Sequence, residues 1–165
     1  MRLRTTRVSR PAVRILGNDD LDQVTELLMR SPLENLFVAS RVQAGGLDPY
    51  MLGCQMVGYE RKGELVSVCH AGSNLVPVAA DDDAIDAFIR FLGPRRRAAS
   101  IMGVAEPALK LWEGLSQSYG GQWSSVRDLR PVQPMMSMSE DSALAIDERV
   151  RPITMKDFDI YFDAA

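Results

Sequence analysis

Apolar residues recur along the chain with two different periods, and the two periods predict different elements. Residues 13–16 form a short apolar strand. The residues after it place leucine and valine on one face of a helix, for which Asn18 or Asp19 is the predicted N-cap. Ser31-Pro32-Leu33-Glu34 has the form of a capping box with proline at the first helical position. We therefore predict a second helix that begins at this box and ends at Gly45-Gly46.

The middle of the chain alternates as strands do. Residues 52–59 and 65–69 flank a turn at 61–63, which predicts a hairpin. In that register Cys54 and Cys69 lie nearly opposite each other, so we expect either two buried thiols or a reversible disulfide. A further strand at 75–78 contains a proline, which is typical of an edge, a bulge or a splayed strand end.

The second half of the chain predicts two more helices and three more extended pieces. One helix opens at three consecutive aspartates, residues 81–83, and ends at Gly93-Pro94. The other starts at Pro107 and ends at Gly120-Gly121. Extended segments are predicted at 100–102, 123–129 and 132–138. The element order predicts a mixed α/β fold, with a central sheet flanked by about four helices.

A repeat near the end of the chain suggests a second domain. Val150-Arg151-Pro152-Ile153, followed by Asp157, echoes Val13-Arg14-Ile15-Leu16, followed by Asp20, at a constant offset of 137 residues. We predict a domain at 13–140, a linker at 141–149 and the truncated start of a second copy at 150–165. A chance match of a helix-start pattern is the alternative.

Charge and composition narrow the classes of function. The first ten residues carry four arginines and no acid, and the rest holds 15 basic against 22 acidic residues. A nucleic-acid arm and a frayed end or extra edge strand both fit residues 1–12. The acidic body favours the second interpretation, because it repels phosphates. No apolar run reaches the length of a membrane helix. Two cysteines and one histidine favour a cytoplasmic protein without a metal site.

The order of elements resembles the GNAT superfamily of N-acetyltransferases. The resemblance spans residues 13–138, and the opening Val13-Arg14-Ile15-Leu16 with Asp20 is similar to the usual start of such domains. It implies the acyl-CoA N-acyltransferase fold and acetyl-coenzyme A as cofactor. The repeated opening is similar to that of tandem members of the superfamily, so it implies a second GNAT domain in cis.

The resemblance also says where the cofactor would bind. GNAT domains hold the pyrophosphate on a glycine-bearing turn that enters a helix, because glycine lets backbone amides approach the anion. The matching stretch here is Pro77-Val78-Ala79-Ala80-Asp81-Asp82-Asp83, which has neither glycine nor arginine. Its carboxylates would cap the helix and repel phosphate. We expect weak or no cofactor binding at Val78, Ala79, Ala80 and Asp81.

The matching substrate-side helix is altered as well. Family members often carry a tyrosine there that protonates the departing thiolate, and this chain has Trp112 at that position. Because an indole N–H is not a useful acid at neutral pH, this half lacks the family's acid. Ala105 stands at a position where the family often has asparagine. Candidates for a general base are Tyr59, Glu60 and His70, near strand ends, and no one of them is assigned the role.

Two functions follow as expectations. The first is the N-terminal half of an N-acetyltransferase that transfers acetyl from acetyl-coenzyme A to a small-molecule or peptide amine, with this half shaping the acceptor site. The second is a non-catalytic GNAT-like module that binds a ligand or assembles subunits, for instance in a homodimer. Residues 95–97, all arginine, either grip a phosphate or acidic partner or solvate a turn, and solvation is favoured.

Overall fold

The computed structural model describes residues 12–141 and 143–164. They divide into two compact units, one that runs to Val132 and one that begins at Gln133. The first unit contains the sheet and most of the helices, and the second contains one short helix. The predicted basic arm, residues 1–12, lies outside the described residues except for Ala12. No helix among the described residues is long and apolar enough to cross a membrane.

The sheet of the first unit has five strands in the order in which they occur along the chain. Neighbouring strands are antiparallel except for the last pair, which is parallel. The strands are β1 (Ala12–Ile15), β2 (Gln55–Arg61), β3 (Glu64–Ala71), β4 (Asn74–Val78) and β5 (Ser100–Ile101). The sheet is therefore mixed, as the sequence predicts.

Helices connect the strands. In the first unit they are α1 (Leu21–Met29), α2 (Leu36–Gly45), α3 (Pro49–Leu52), α4 (Asp82–Leu92) and α5 (Ala105–Tyr119), and the second unit has α6 (Phe158–Ala164). Short 3₁₀ turns precede α1 and α6 and follow α5, at Asn18–Asp20, Met155–Asp157 and Gly121–Trp123. Helix α3 is a single turn that the sequence pattern did not predict.

Successive side chains of a strand point to opposite faces of the sheet, so a separate hydrophobic core forms on each face. Met56 and Val68 pack against α1 and α2, whereas their neighbours Val57 and Cys69 pack against α4 and α5. Phe88 of α4 is fully buried in the second core. Helices on both faces of a mixed sheet confirm the predicted fold class, and the architecture is consistent with the expected GNAT-like fold.

Three helix starts differ from the prediction. Neither Asn18 nor Asp19 is the N-cap of the first helix: Gly17 precedes the 3₁₀ turn and Asp20 precedes α1. Residues 31–35 form a turn, and α2 begins only at Leu36, because Asn35 turns its amide back to donate to the carbonyl of Leu28 at 3.0 Å. The capping-box pattern at Ser31 therefore does not start the helix. Helix α5 begins at Ala105, two residues before Pro107, so that proline occupies the third helical position.

The two extended segments predicted at 123–129 and 132–138 are not strands. Trp123 closes a 3₁₀ turn, and the residues after it are almost all exposed. Pro131 and Pro134 remove backbone donors from this stretch, which weakens any ladder. The prediction of two strands over these residues was wrong.

The two cysteines do not face each other. The hairpin turns at Lys62-Gly63 and carries a bulge at Tyr59/Glu60, so Cys69 lies opposite Val57. Cys54 precedes β2 and packs in the core under α1 and α2, whereas Cys69 packs under α4 and α5. Both are buried and free. The expected juxtaposition is therefore wrong, and the sheet separates the two thiols.

Candidate functional site

The turn between β4 and α4 is where the resemblance places a pyrophosphate. Val78 ends β4 and is buried, and Ala79 has a φ of +50°, a left-handed conformation that L residues other than glycine rarely adopt. Ala80 leads into Asp81, which is the N-cap of α4. The turn thus has a backbone conformation suited to glycine while its sequence has alanine.

The three aspartates sit at the start of α4, as predicted. Asp81 Oδ1 accepts a hydrogen bond from the backbone N–H of Ala84 at 3.1 Å, and the backbone N–H of Ile85 donates to the carbonyl of Asp81. The helix N-terminus therefore binds a carboxylate of its own chain. An anion that arrived from solution would have to displace it.

Two cations neutralise this acidic turn, which we define as residues 81–83. Nη2 of Arg61, at the end of β2, lies 2.7 Å from Asp81 and 3.2 Å from Asp83. Nζ of Lys110, on α5, lies 2.7 Å from Asp82 and 2.9 Å from Glu106. The Arg61 guanidinium, together with the Ala84 N–H, lowers the pKa of Asp81, and the bonds to Asp82 and Glu106 raise the pKa of Lys110.

The last strand pair is short. Only Asn74 and Leu75 of β4 pair with β5, and the N–H of Met102 donates to the carbonyl of Leu75 at 3.0 Å. The chain then stays close to β4, since a methyl group on Gly103 would lie 3.4 Å from Cγ1 of Val76. With a φ of +133°, Gly103 occupies a conformation reserved for glycine.

Trp112 has a structural environment. Its Nε1 donates to the carbonyl of Trp123 at 3.2 Å, and the hydroxyl of Ser116 donates to the same carbonyl at 2.9 Å. Trp123 is itself buried, and its Nε1 donates to the carbonyl of Gly93. The indole at the position of the family's acid therefore holds α5 to the 3₁₀ turn that follows it.

The three candidates for a base are not brought together. Tyr59 faces α4, and its ring lies beneath the guanidinium of Arg61, with 5.6 Å from Cζ to the ring centroid. Glu60 accepts a hydrogen bond from Nε of Arg14 at 2.7 Å. His70 is buried on the other side, with its ring edge-on to Phe37. Glu60 and His70 thus have partners within the fold.

His70 is held by the backbone as well as by packing. Its Nδ1 lies 3.0 Å from the carbonyl oxygen of Asn74, a contact in which the imidazole donates. The chain reverses between these two residues from β3 to β4. The bond therefore joins the two strands at their turn, which is a structural role.

A surface groove of about 560 Å³ opens beside Tyr59. It lies between the β1–β2 edge of the sheet and α4, and it combines aromatic, acidic and basic side chains. Its lining residues are Val13, Tyr59, Asp83, Asp86, Ala87, Arg90 and Phe91. Of the three candidates for a base, Tyr59 alone lines this groove.

The arginine run at 95–97 has a function in the fold that sequence reasoning missed. The guanidinium of Arg96 donates to the carbonyls of Ala98, Ala99, Gln122 and Ser125 at 2.9–3.2 Å. Arg95 and Arg97 are exposed, in agreement with a solvated turn. Nothing in the run itself distinguishes its middle residue, because two of its acceptors, Gln122 and Ser125, lie far along the chain.

Among the residues that the structure describes, no group of three or more His, Cys, Asp or Glu side chains is arranged to hold a metal ion.

Comparison with known proteins gives one match. A protein family described as a domain of unknown function, DUF4081, matches residues 54–161. No curated protein and no solved structure matches the chain.

Proposed function

Because this chain belongs to the DUF4081 family, whose description assigns no activity, we propose its function from its site. It is a GNAT-like domain without chemistry of its own, and it supports an N-acetyltransferase that transfers acetyl from acetyl-coenzyme A to a small-molecule or peptide amine. The catalytic and cofactor-binding half is a second GNAT domain in the same polypeptide. The protein acts in the cytoplasm.

The observation that carries this proposal is the occupied helix N-terminus at the acidic turn. A pyrophosphate needs free backbone amides and cations at such a turn. Here Asp81 takes the amide of Ala84, while Arg61 and Lys110 are engaged by the aspartates. Binding a polyanion would separate these ion pairs and bring like charges together.

The other half of the site supports the same interpretation. In a direct transfer, an amine attacks the thioester carbonyl while the thiolate leaves with a proton. Trp112 stands where the family's proton donor would be, and its Nε1 is bonded to the carbonyl of Trp123. This half therefore lacks the family's acid.

A ligand-binding module is the second candidate function, and the groove beside Tyr59 favours it. A groove of about 560 Å³ is large enough for a small metabolite. Its lining contains the carboxylates of Asp83 and Asp86 and the guanidinium of Arg90, so an amine that also bears an acid group suits its chemistry. On this alternative the fold is kept as a binding platform or a subunit contact.

Thermal unfolding with and without acetyl-coenzyme A tests the proposal. We expect no change in Tm for residues 1–165 at 1 mM acetyl-coenzyme A. A site with a Kd of about 10 μM would add about 2.7 kcal/mol of stability at that concentration. Desulfo-coenzyme A, which keeps the pyrophosphate and lacks the thioester, separates binding at the turn from binding of the acetylated arm. A saturable rise in Tm with either ligand would contradict the proposal.

A further inference from the structure

The two echoing segments fold in the same way in detail. In the first, Nη1 and Nη2 of Arg14 bind the two carboxylate oxygens of Asp20 at 2.8 and 2.6 Å. In the second, the same two atoms of Arg151 bind Asp157 at 2.8 and 2.7 Å. We call this bidentate pair the clasp. Arg151 and Asp157 each lie 137 positions after their counterparts, Arg14 and Asp20.

The backbone around each clasp is the same too. The Asp20 carboxylate accepts the N–H of Gly17 at 3.0 Å, and the Asp157 carboxylate accepts the N–H of Thr154 at 2.8 Å. Gly17 has φ −126° and ψ −177°, and Thr154 has φ −122° and ψ 172°. Each is followed by a 3₁₀ turn that passes directly into a helix. A chance sequence match does not require this agreement.

The first copy reveals what the second lacks. Nε of Arg14 donates to Glu60 on β2, so the first clasp has a third partner on the neighbouring strand. Among the residues that the structure describes, Nε of Arg151 has no acceptor. Phe158 and Tyr161, which correspond to Leu21 and Val24 of α1, are about half exposed. In the first copy those positions pack into the core beside the sheet.

Pro152 is the one residue that argues against strand pairing, and the geometry of β1 removes the objection. The N–H of Leu16 donates to the carbonyl of Met56 at 2.7 Å. In an antiparallel pair bonded residues alternate, so the N–H of Ile15 points away from β2 toward the free edge. Pro152 corresponds to Ile15, and proline is tolerated where the N–H faces an edge. Residues 150–153 can therefore pair on the same side as β1 does.

We propose that residues 150–164 are a docking surface for one strand of a second acetyltransferase-like sheet. That strand runs antiparallel to 150–153 and carries a carboxylate two residues beyond the residue opposite Arg151, as Glu60 does relative to Gly58, the partner of Arg14. The carboxylate binds Nε of Arg151, and the sheet covers Phe158 and Tyr161. The inference rests on the proposed function only in naming that sheet as acetyltransferase-like.

The first test replaces residues of the first copy by those of the second. It asks whether the residues of the second copy can pair with a known strand, β2 of this chain. The triple variant Ile15→Pro/Leu16→Ile/Gly17→Thr gives the first copy the residues of the second. A methyl group at Gly17 meets nothing within 4 Å, and the hydroxyl of a threonine there can donate to Asp20 as that of Thr154 donates to Asp157 at 2.9 Å. We expect one cooperative melting transition with a Tm within about 5 °C of the parent, because no bond to β2 is lost.

The matched control moves the proline by one residue. Leu16→Pro with Gly17→Thr removes the N–H that bonds Met56, so we expect its Tm to fall by more than about 10 °C. If the graft loses its cooperative transition, or if both variants are equally destabilised, the two openings are not interchangeable and the proposal fails.

Hydrogen exchange on the product of the whole gene tests the docking itself. We expect the amides of Arg151 and Ile153 to exchange slowly there and rapidly in residues 1–165 alone. Equal, rapid exchange in both proteins would overturn the proposal. Slow exchange in residues 1–165, with a dimer in solution, would identify the occupant as a second copy and also overturn it. Neither result depends on whether acetyl-coenzyme A binds, so this test can fail while the proposed function stands.

Discussion

Ala79, in the turn between β4 and α4, has a backbone conformation that favours glycine. It is exposed, it follows the last residue of β4, and its φ of +50° places its Cβ near its own carbonyl. The constraint comes from the path between β4 and the N-cap Asp81, which the ion pair with Arg61 holds in place.

Replacing this alanine by glycine should stabilise the protein. In Ala79→Gly we expect the free energy of unfolding to rise by about 0.5–1 kcal/mol, because relief of the left-handed strain exceeds the entropy that glycine adds to the unfolded chain. Urea unfolding measures it. Ala99→Gly is the control, since Ala99 is also exposed but its φ is not positive, and it should not gain stability. Equal effects at both positions would show that Ala79 is unstrained.

The clasp of Arg14 is the feature that matters most at the scale of an element. It links β1 to the turn before α1 through Asp20, and to β2 through Glu60. The bonds from Arg14, and then the N–H of Gly17, lower the pKa of Asp20, and those from Asp20 and Glu60 raise the pKa of Arg14. One guanidinium thereby joins β1 to the start of the first helix and to β2.

This arrangement predicts a dependence of stability on pH. A carboxyl whose pKa is lower in the folded protein than in the unfolded chain, where it is about 3.9, stabilises the fold above that value. The contribution is lost as the pH falls through the folded pKa. We expect Asp20→Asn to lower the free energy of unfolding by about 1.5–3 kcal/mol at pH 7. Its stability should also fall less steeply than that of the parent between pH 5 and pH 2.

Urea midpoints measured across this pH range provide the check. The control is Asp19→Asn, which alters an exposed neighbouring carboxylate and should leave the pH profile of the parent unchanged. Parallel profiles for the parent and Asp20→Asn would mean that the clasp does not contribute to acid stability.

At the scale of the whole molecule, the sheet keeps two cores apart. Helices α1 and α2 cover one face and α4 and α5 cover the other, so each strand contributes alternate side chains to each core. One cysteine lies in each core, Cys54 in the first and Cys69 in the second, so each thiol serves as a probe of its own core. Burial raises the pKa of the Cys54 thiol to about 11 and that of the Cys69 thiol to about 12.

Both thiols should therefore react only when the molecule opens. At pH 8 the folded protein holds about one Cys54 in a thousand as thiolate, and Cys69 is less ionised still. We expect negligible reaction with a disulfide reagent until urea reaches the unfolding transition, after which two thiols per chain react. The single variants Cys54→Ala and Cys69→Ala separate the two signals. Fast reaction of one thiol in the native protein would show that its core opens locally.

The sequence predicts most of the elements correctly because their signals are local. Gly93 ends α4, and three aspartates begin it where the pattern places them. The failures have non-local causes. Ser31 has the right neighbours for a helix start, but Asn35 reaches back to Leu28. The middle arginine at 96 looks like its neighbours, yet its acceptors include Gln122 and Ser125, which are far away along the chain.

The amino-acid sequence by itself determined the mixed α/β class, the acidic start of α4, the tryptophan at 112 and the repeated opening, because each depends on residues close together in the chain. Only the tertiary structure decided which partners these residues have. It brought Arg61 and Lys110 to the aspartates, separated Tyr59 from His70, and moved the two thiols into different cores. Such pairings depend on strand register, and a single bulge at Tyr59/Glu60 changes the register of every residue that follows.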